Sequence, residues 1–453
     1  MGFREGFVWG AATSSYQIEG AAFEDGKGRS IWDDFCHTPG KVYGAHTGDV
    51  ACDHYHRYRE DVALMKELGV KHYRFSLSWP RILPEGTGEI CEAGLAFYER
   101  LIDELLQNGI QPLVTLYHWD LPTALQRRGG WLNPESPRWF EAYADTVVKR
   151  FGNRVLDYFT FNEPQCVVGL GNVLGTMAPG LQLPVQDTIL MSHHIHVAHG
   201  LAVSRIRGRV PGARIGFVNC GPAPMPATDS PADIQAARNA FFSHPTADPE
   251  KWVWSTSWWA DPVLLGQYPA DALTHYGQYL PKGYERALPS IGQPLTYCAH
   301  NLYEGKRVRA GGENGFTELD WPAGHPRTAN NWPVTPDVLY WSARFLYERY
   351  HKPVFITENG MSAHDAISLD GGVHDPNRID YLHRYLRGLR RAAEEGVEVY
   401  GYLAWSLFDN FEWDSGYRER FGLVYVDFET QRRTLKDSAL WYRNVMATNG
   451  EAL

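Results

Sequence analysis

A chain of 453 residues with 44% hydrophobic and 21% charged side chains has the composition of a globular protein with a large core. Its net charge of −10 argues against binding to nucleic-acid phosphates or anionic membranes, and no stretch approaches the roughly 18 apolar residues of a membrane span. Residues 1–7 carry no long apolar run after their charge, so a cytoplasmic protein is expected.

Strand-like and helix-like segments alternate along the whole chain, an order typical of parallel βαβ units. Most of the predicted strands are continuously apolar, as strands covered on both faces are. They are residues 7–12, 73–79, 112–118, 156–162, 214–219, 295–301, 353–357 and 399–405. This pattern predicts an α/β fold, a single (β/α)8 TIM barrel whose active site forms at the C-terminal ends of the strands.

Several helices between these strands have clear boundaries in the sequence. Apolar residues recur at helical spacing from Ser136, a potential cap, to Phe151, and Gly152 then ends the helix. The same spacing predicts helices over 58–68 and 379–393. Residues 221–231 and 321–336 are rich in proline and glycine and are predicted as long loops. Residues 1–453 are therefore expected to form a single catalytic domain.

Two glutamates directly follow predicted strands. Glu163 precedes Pro164, and because proline cannot continue strand pairing, the strand ends there and Glu163 is expected to be extended. Glu358 ends the apolar run that begins at residue 354. The Asn-Gly pair after it could mark a hairpin, but no returning strand follows.

The joint placement of the two glutamates points to paired-carboxylate chemistry. The C-terminal ends of barrel strands meet on one face, so residues far apart in the chain can share a site there. Two carboxyl groups about 5 to 5.5 Å apart are what a retaining glycosidase requires, since one protonates the leaving oxygen and the other attacks the anomeric carbon.

The chain resembles the family-one glycoside hydrolases, whose best-known members are β-glucosidases, over nearly its whole length. The segments T-F-N-E-P at 160–164 and I-T-E-N-G at 356–360 are similar to that family's acid/base and nucleophile motifs. Further similar segments are 7–20, 117–122, 405–413 and 420–427. The resemblance implies a retaining β-glucosidase with Glu163 as general acid/base and Glu358 as nucleophile, acting on terminal non-reducing β-D-glucosyl residues through a covalent glycosyl-enzyme.

The resemblance also implies which other residues serve the site. It implies substrate binding by Gln17, His118, Asn162, Trp405, Glu412 and Trp413, support of the nucleophile by Arg74, Asn301 and Tyr303, and an aglycone-side role for Trp332. Amide, imidazole and carboxylate groups together satisfy hydroxyls that both donate and accept, while tryptophans cover the C–H face of a sugar ring. Core packing is the alternative for any single tryptophan. Leu302 replaces the middle tyrosine of the family's Asn-Tyr-Tyr motif.

Arg74 lies inside an otherwise apolar predicted strand. An unpaired buried cation is costly, so a carboxylate beside it is expected. The resemblance implies that this partner is Glu358, whose ionised form the arginine would favour; a structural salt bridge elsewhere is the alternative. The two glutamates need different pKa values to act as acid and anion at neutral pH.

No metal or organic cofactor is needed for these steps, and none is predicted. The histidines His193, His194, His196 and His199 lack the H-E-x-x-H pattern and are predicted as structural residues of a helix. The glycine-rich residues 169–175 do not follow a strand and are predicted as a loop, not a dinucleotide site. The cysteines Cys36, Cys52, Cys91, Cys166, Cys220 and Cys298 have no C-x-x-C spacing, which favours free buried thiols over a zinc site.

Two rival functions remain. A non-catalytic sugar-binding barrel is disfavoured because both glutamates are present. A phospho-β-glycosidase of the same family is disfavoured because Glu412 would repel a 6-phosphate. The expected partners are small carbohydrates, namely β-glucosides and cello-oligosaccharides, as in cellulose degradation. Loops 221–255 and 310–330 are expected to line the entrance. The oligomeric state does not follow from the sequence.

Overall fold

Parallel strands form the centre of the molecule. The computed structural model describes residues 2–244 and 250–453. Within these residues, eight strands close into a barrel in which each strand pairs with its neighbours in chain order and the last pairs with the first. They are β1 (Val8–Ala12), β2 (His72–Ser76), β3 (Gln111–Tyr117), β4 (Asp157–Asn162), β5 (Arg214–Cys220), β6 (Cys298–Asn301), β7 (Val354–Asn359) and β8 (Val399–Trp405). The predicted (β/α)8 TIM barrel is confirmed.

A long helix follows each barrel strand. These helices are α1 (His54–Glu67), α2 (Glu92–Gln107), α3 (Ser136–Phe151), α4 (Val185–Arg209), α5 (Thr256–Leu265), α6 (Val338–Tyr350), α7 (Pro376–Glu394) and α8 (Asp437–Ala447). Their apolar positions are buried because they pack against the barrel; in α7 these include Leu382, Leu386 and Leu389. No helix in the described part of the chain is long and apolar enough to cross a membrane.

Shorter elements occupy the connections between strands and helices. The short helices are Ser15–Ile18, Ile31–Cys36, Trp79–Ile82, Thr123–Arg127, Pro164–Val168, Ala270–Tyr276 and Leu288–Ile291. A longer helix, Pro231–Phe242, also lies in a connection. Single 3₁₀ turns are Tyr43–Ala45, Gly130–Leu132, Trp252–Trp254, Gly277–Tyr279, Tyr284–Ala287 and Trp413–Ser415. Two small sheets lie outside the barrel, one of Ala223–Pro226, Gly305–Ala310 and Phe316–Leu319, the other of Val424–Val426 and Arg433–Leu435.

Some predicted boundaries are wrong. The strand predicted over 73–79 ends at Ser76, because a short helix with Pro80 in its first turn begins close behind it at Trp79. Residues 221–231, predicted as a loop, contain a strand that pairs with Gly305–Ala310. Residues 169–175 are helical in part, since Gly169–Val173 forms a π-helical turn that continues the helix after β4. Residues 321–336 are irregular, as predicted.

The core has two layers. One layer lies between the barrel and its helices, and the other fills the barrel itself. The inner layer includes Leu113, Phe159, Val218, Phe355 and Leu403, all buried. These side chains close the barrel interior, so polar residues that follow the strands lie above an apolar floor.

Candidate active site

A cavity of about 1310 Å³ opens at the C-terminal ends of the barrel strands. Of the residues singled out in the sequence, its lining includes His118, Glu163, Asn301, Tyr303, Trp332, Glu358, Trp405, Glu412 and Trp413. Both predicted entrance loops contribute, for example through Trp254 and Phe316. Residues 245–249 of the first loop lie outside the described residues. Folding therefore brings together nine residues that are dispersed along the sequence.

Glu163 connects strand β4 to the helix Pro164–Val168. Its φ angle is 45°, in the left-handed region, so the expectation of an extended backbone is wrong. The chain turns from strand to helix within this one residue, and the backbone N–H of Glu163 donates to the carbonyl of Val218 on β5 at 2.9 Å. A non-glycine residue in this conformation costs about 1 to 3 kcal/mol, and such strain clusters at functional sites.

The strand register is interrupted just before each glutamate. The pairing of β4 with β5 shifts between Phe159 and Asn162, and the pairing of β7 with β6 shifts between Ile356 and Glu358. An irregularity of this kind changes the direction of the side chains that follow it. Both carboxyl groups lie at the cavity directly after such an irregularity.

Glu358 is held by a cation and a phenol. Arg74 is fully buried, and its Nη1 donates to Glu358 Oε1 at 2.6 Å. Tyr303 Oη donates to the other oxygen, Oε2, at 2.8 Å. The remaining Arg74 donors reach Asn162 Oδ1 at 2.7 Å and Thr115 Oγ1 at 3.0 Å. A buried guanidinium with this many acceptors fixes the carboxylate in position.

The Asn301 side chain links Glu163 to the groups that hold Glu358. Its Nδ2 donates to Glu163 Oε1 at 2.8 Å and to Asn162 Oδ1 at 3.1 Å. Thr357 Oγ1 donates to Asn301 Oδ1 at 2.7 Å and orients the amide. Asn301 was expected to support Glu358, whereas its amide donates to Glu163 and is linked to Glu358 through Asn162 Oδ1, which also accepts from Arg74. The two glutamates therefore lie in one small site.

The two carboxyl groups have different surroundings, and these act differently on their pKa values. Burial and the nearby Glu358 charge raise the pKa of Glu163 to about 8. Burial also raises the pKa of Glu358, but Arg74 and Tyr303 act against this rise. Two like charges in one buried site do not ionise together easily, and the cation lies on Glu358. Glu358 therefore carries the negative charge while Glu163 keeps its proton.

Two of the predicted sugar-binding residues lie behind the cavity wall. Gln17 is fully buried, and its Nε2 donates to Asn410 Oδ1 at 3.0 Å and to Glu412 Oε2 at 3.3 Å. Asn162 accepts from Arg74 and donates from Nδ2 to His118 Nε2 at 3.1 Å. These contacts orient Glu412 and His118, which do line the cavity. Direct binding of hydroxyls by Gln17 and Asn162 stays a prediction.

Aromatic rings form the walls of the cavity. The His118 ring lies nearly parallel to Trp405 and Trp413, with centroids 5.9 and 6.0 Å away. Trp332 contacts Tyr303 at a centroid distance of 5.2 Å. Burial lowers the pKa of His118, so its imidazole is neutral and can both donate and accept.

The sequence arguments missed other residues at the cavity. Trp119 donates from Nε1 to the carbonyl of Asn162 at 3.0 Å and packs against Trp413 at 4.6 Å. Phe421 lies 6.0 Å from Trp332. Trp119 lies in segment 117–122 and Phe421 in segment 420–427, both of which resemble the family. Their position in these segments was the available signal.

The four histidines of α4 have structural partners. His193 and His196 both contact Tyr268 Oη at 3.0 Å, and His199 contacts Thr160 Oγ1 at 2.7 Å. His194 contacts the carbonyl of Trp131 at 2.9 Å. Within residues 2–244 and 250–453, the cluster with metal-ligand spacing lies elsewhere and consists of Glu163, Cys166 and Cys220.

Comparison with known proteins gives the same assignment along the whole chain. The family model described as Glycosyl hydrolase family 1 matches residues 1–451. The chain is 44% identical to Beta-glucosidase A of Thermotoga maritima, over 99% of this chain and 98% of the relative. It is 43% identical to the 1,4-beta-D-glucan glucohydrolase of Thermotoga neapolitana, over 99% of each. The solved Thermotoga maritima beta-glucosidase in complex with glucoimidazole is similar, with a TM-score of 0.90, 44% identity and 99% coverage of both chains. With its barrel, its paired glutamates and these matches, the chain belongs to glycosyl hydrolase family 1.

Proposed function

We propose that the protein is a retaining β-glucosidase that removes terminal non-reducing β-D-glucosyl residues by double displacement. The observation that carries this proposal is a pair of buried carboxyl groups of unequal acidity in one cavity, with Asn301 donating to Glu163 and Arg74 donating to Glu358. A relative of 44% identity is named a beta-glucosidase, and its solved structure contains glucoimidazole. We further propose that residues 1–453 act as one catalytic domain.

In the first step, the Glu358 carboxylate attacks the anomeric carbon while Glu163 gives its proton to the glycosidic oxygen. The leaving alcohol departs, and a covalent glycosyl-enzyme forms on Glu358. Arg74 and Tyr303 hold the nucleophile at 2.6 and 2.8 Å, which limits the reorganisation needed for attack.

In the second step, Glu163 acts as a base. Bonding to the sugar neutralises Glu358, and this removes the charge that raises the pKa of Glu163. The Glu163 carboxylate can then take a proton from the incoming water, which attacks the anomeric carbon and releases Glu358. The two inversions give net retention of configuration.

The remaining lining residues suit a glucosyl ring. Trp405 and Trp413 offer apolar faces, and Glu412 and His118 offer acceptors and a donor for hydroxyls. Trp332 lies on the side of Tyr303 and is proposed for the aglycone. The proposed substrates are β-glucosides and cello-oligosaccharides, a proposal that the name of the Thermotoga neapolitana relative supports.

A comparison of free and phosphorylated substrates tests this function against its rivals. Glu412 is half-buried at the cavity, and its acidic neighbours Asp414 and Glu358 add to desolvation in raising its pKa. A 6-phosphate brought to this acidic pocket is repelled, so kcat/KM for an aryl β-glucoside should exceed that for its 6-phosphate by about 100-fold or more. Faster cleavage of the phosphorylated substrate would favour a phospho-β-glycosidase, and cleavage of neither would favour a binding protein.

The pH profile follows from the two carboxyl groups. We expect kcat/KM for an alkyl β-glucoside to be lost as the pH rises through about 8, because Glu163 then loses the proton that it must donate. Activity should also fall at acidic pH, as Glu358 becomes protonated. The profile is measured with this alkyl glucoside for the wild type and for Glu163→Gln. A variant that keeps the basic limb would show that another group controls it.

A further inference from the structure

Two thiols meet beside Glu163. Cys166 lies on the helix that follows β4, and Cys220 is the last residue of β5. Because β4 and β5 are neighbours, these residues approach each other although 54 positions separate them, and their Sγ atoms are 3.7 Å apart without a disulfide. Cys166 Sγ is 3.5 Å from Glu163 Oε2. All three residues line the cavity.

Two of the three distances match those between ligands of a tetrahedral metal ion. With zinc–sulfur bonds of about 2.3 Å and a zinc–oxygen bond of about 2.0 Å, tetrahedral angles place two sulfurs about 3.8 Å apart, and a sulfur and an oxygen about 3.5 Å apart. The observed separations are 3.7 and 3.5 Å. The ligand atoms of all three residues lie within 4.8 Å of one another.

The donor atoms select the kind of ion. Two sulfurs and one carboxylate oxygen favour thiophilic cations such as zinc and cadmium over magnesium or calcium, which take oxygen ligands. The hydrogen bond with Cys220 lowers the pKa of Cys166, but burial and the Glu163 charge outweigh it and raise this pKa to about 11. Burial also raises the pKa of Cys220, so an ion has to displace thiol protons to bind. Thiophilic ions do this, because they bind the thiolate form.

We propose that Cys166, Cys220 and Glu163 form an inhibitory site for a thiophilic divalent cation at the catalytic cavity. The three residues supply three ligands, and the fourth position faces the cavity, where water completes the tetrahedron. A cation bound there occupies the oxygen that Glu163 needs for proton donation and adds positive charge next to it. Inhibition rests on the proposed role of Glu163, whereas cation binding does not.

The test measures binding and hydrolysis separately. Zinc is titrated into the metal-free protein by calorimetry, and hydrolysis of an aryl β-glucoside is followed at the same zinc concentrations. We expect one zinc per chain at this site, a loss of hydrolysis of about tenfold or more at saturation, and full recovery with EDTA. Cys220→Ser should weaken zinc binding by about tenfold or more and keep its metal-free activity.

Two further variants sharpen the test. Cys166→Ala should weaken zinc binding as Cys220→Ser does, so the result does not depend on one substitution. Cys91 is a partly exposed thiol that donates to the carbonyl of Asp25 and does not line the cavity, and Cys91→Ser serves as the matched control with wild-type binding and inhibition.

Wild-type zinc affinity in both cluster variants would overturn the proposal. Recovery of hydrolysis on addition of a phosphine reductant that does not bind metal would also overturn it, because the loss of activity would then be due to thiol oxidation. Zinc binding that leaves hydrolysis unchanged would overturn the proposal that the site is inhibitory. A protein that binds zinc through Cys220 but cleaves no glucoside would support the site and count against the proposed function alone.

Discussion

Glu358→Ala is expected to lower kcat for β-glucoside hydrolysis by about 10⁴-fold or more, because no other carboxylate can form the covalent intermediate. Arg74 and Tyr303 would remain in place but would have no carboxylate to hold. The measurement is steady-state hydrolysis of an activated aryl β-glucoside. Glu304→Gln is the matched control, since this carboxyl group also lines the cavity but lies outside the pair, and it should change kcat by less than about tenfold.

Added azide distinguishes a lost nucleophile from a damaged fold. In Glu358→Ala the anion can enter the space left by the carboxylate, next to Arg74, and attack once while Glu163 protonates the leaving group. The product of this single inversion is the α-glucosyl azide, identified by NMR. Formation of the β-anomer, or a kcat close to that of the wild type without azide, contradicts the assignment of Glu358.

Glu163→Gln is expected to have an effect that depends on the leaving group. For cellobiose, whose leaving alcohol needs a proton, kcat/KM should fall by about 10² to 10⁴-fold. For a dinitrophenyl glucoside, which needs no proton, kcat/KM should change little. The second step still lacks its base, so kcat and KM should fall together and a burst of phenol should precede slow turnover.

Azide again provides the check on Glu163. It needs no general base, so it should accelerate the second step in Glu163→Gln and give the β-glucosyl azide. Equal losses for cellobiose and for the dinitrophenyl glucoside would show that Glu163 has a structural role and does not donate the proton.

Much of the fold and the main features of the site were predictable from the sequence. Buried parallel strands have continuous apolar runs, and proline after Glu163 marks a strand end directly. Barrel topology then places residues that follow strands on one face, however far apart they are in the chain. Arg74 is a clear example, since a cation in an apolar strand requires a carboxylate, and Glu358 lies 2.6 Å away.

Other features depend on three-dimensional details that no local pattern contains. The left-handed backbone of Glu163 depends on its bond to Val218 on the next strand. The contact of Asn301 with Glu163 depends on how the register shifts in β4 and β7 place the residues that follow them. The approach of Cys166 to Cys220 depends on which strands are neighbours, whereas cysteine spacing in the sequence argued against a zinc site.

Trapping of the covalent intermediate tests the central claim most directly. A 2-deoxy-2-fluoro-β-glucoside with a good leaving group reacts at the first step and then stalls, because fluorine destabilises the positively charged transition state of both steps while the leaving group favours the first. Proteolysis and mass spectrometry of the inactivated protein should find the fluoroglucosyl group on Glu358, with Glu163 unmodified. A label on Glu163, or complete inactivation without a label on either glutamate, would contradict this account.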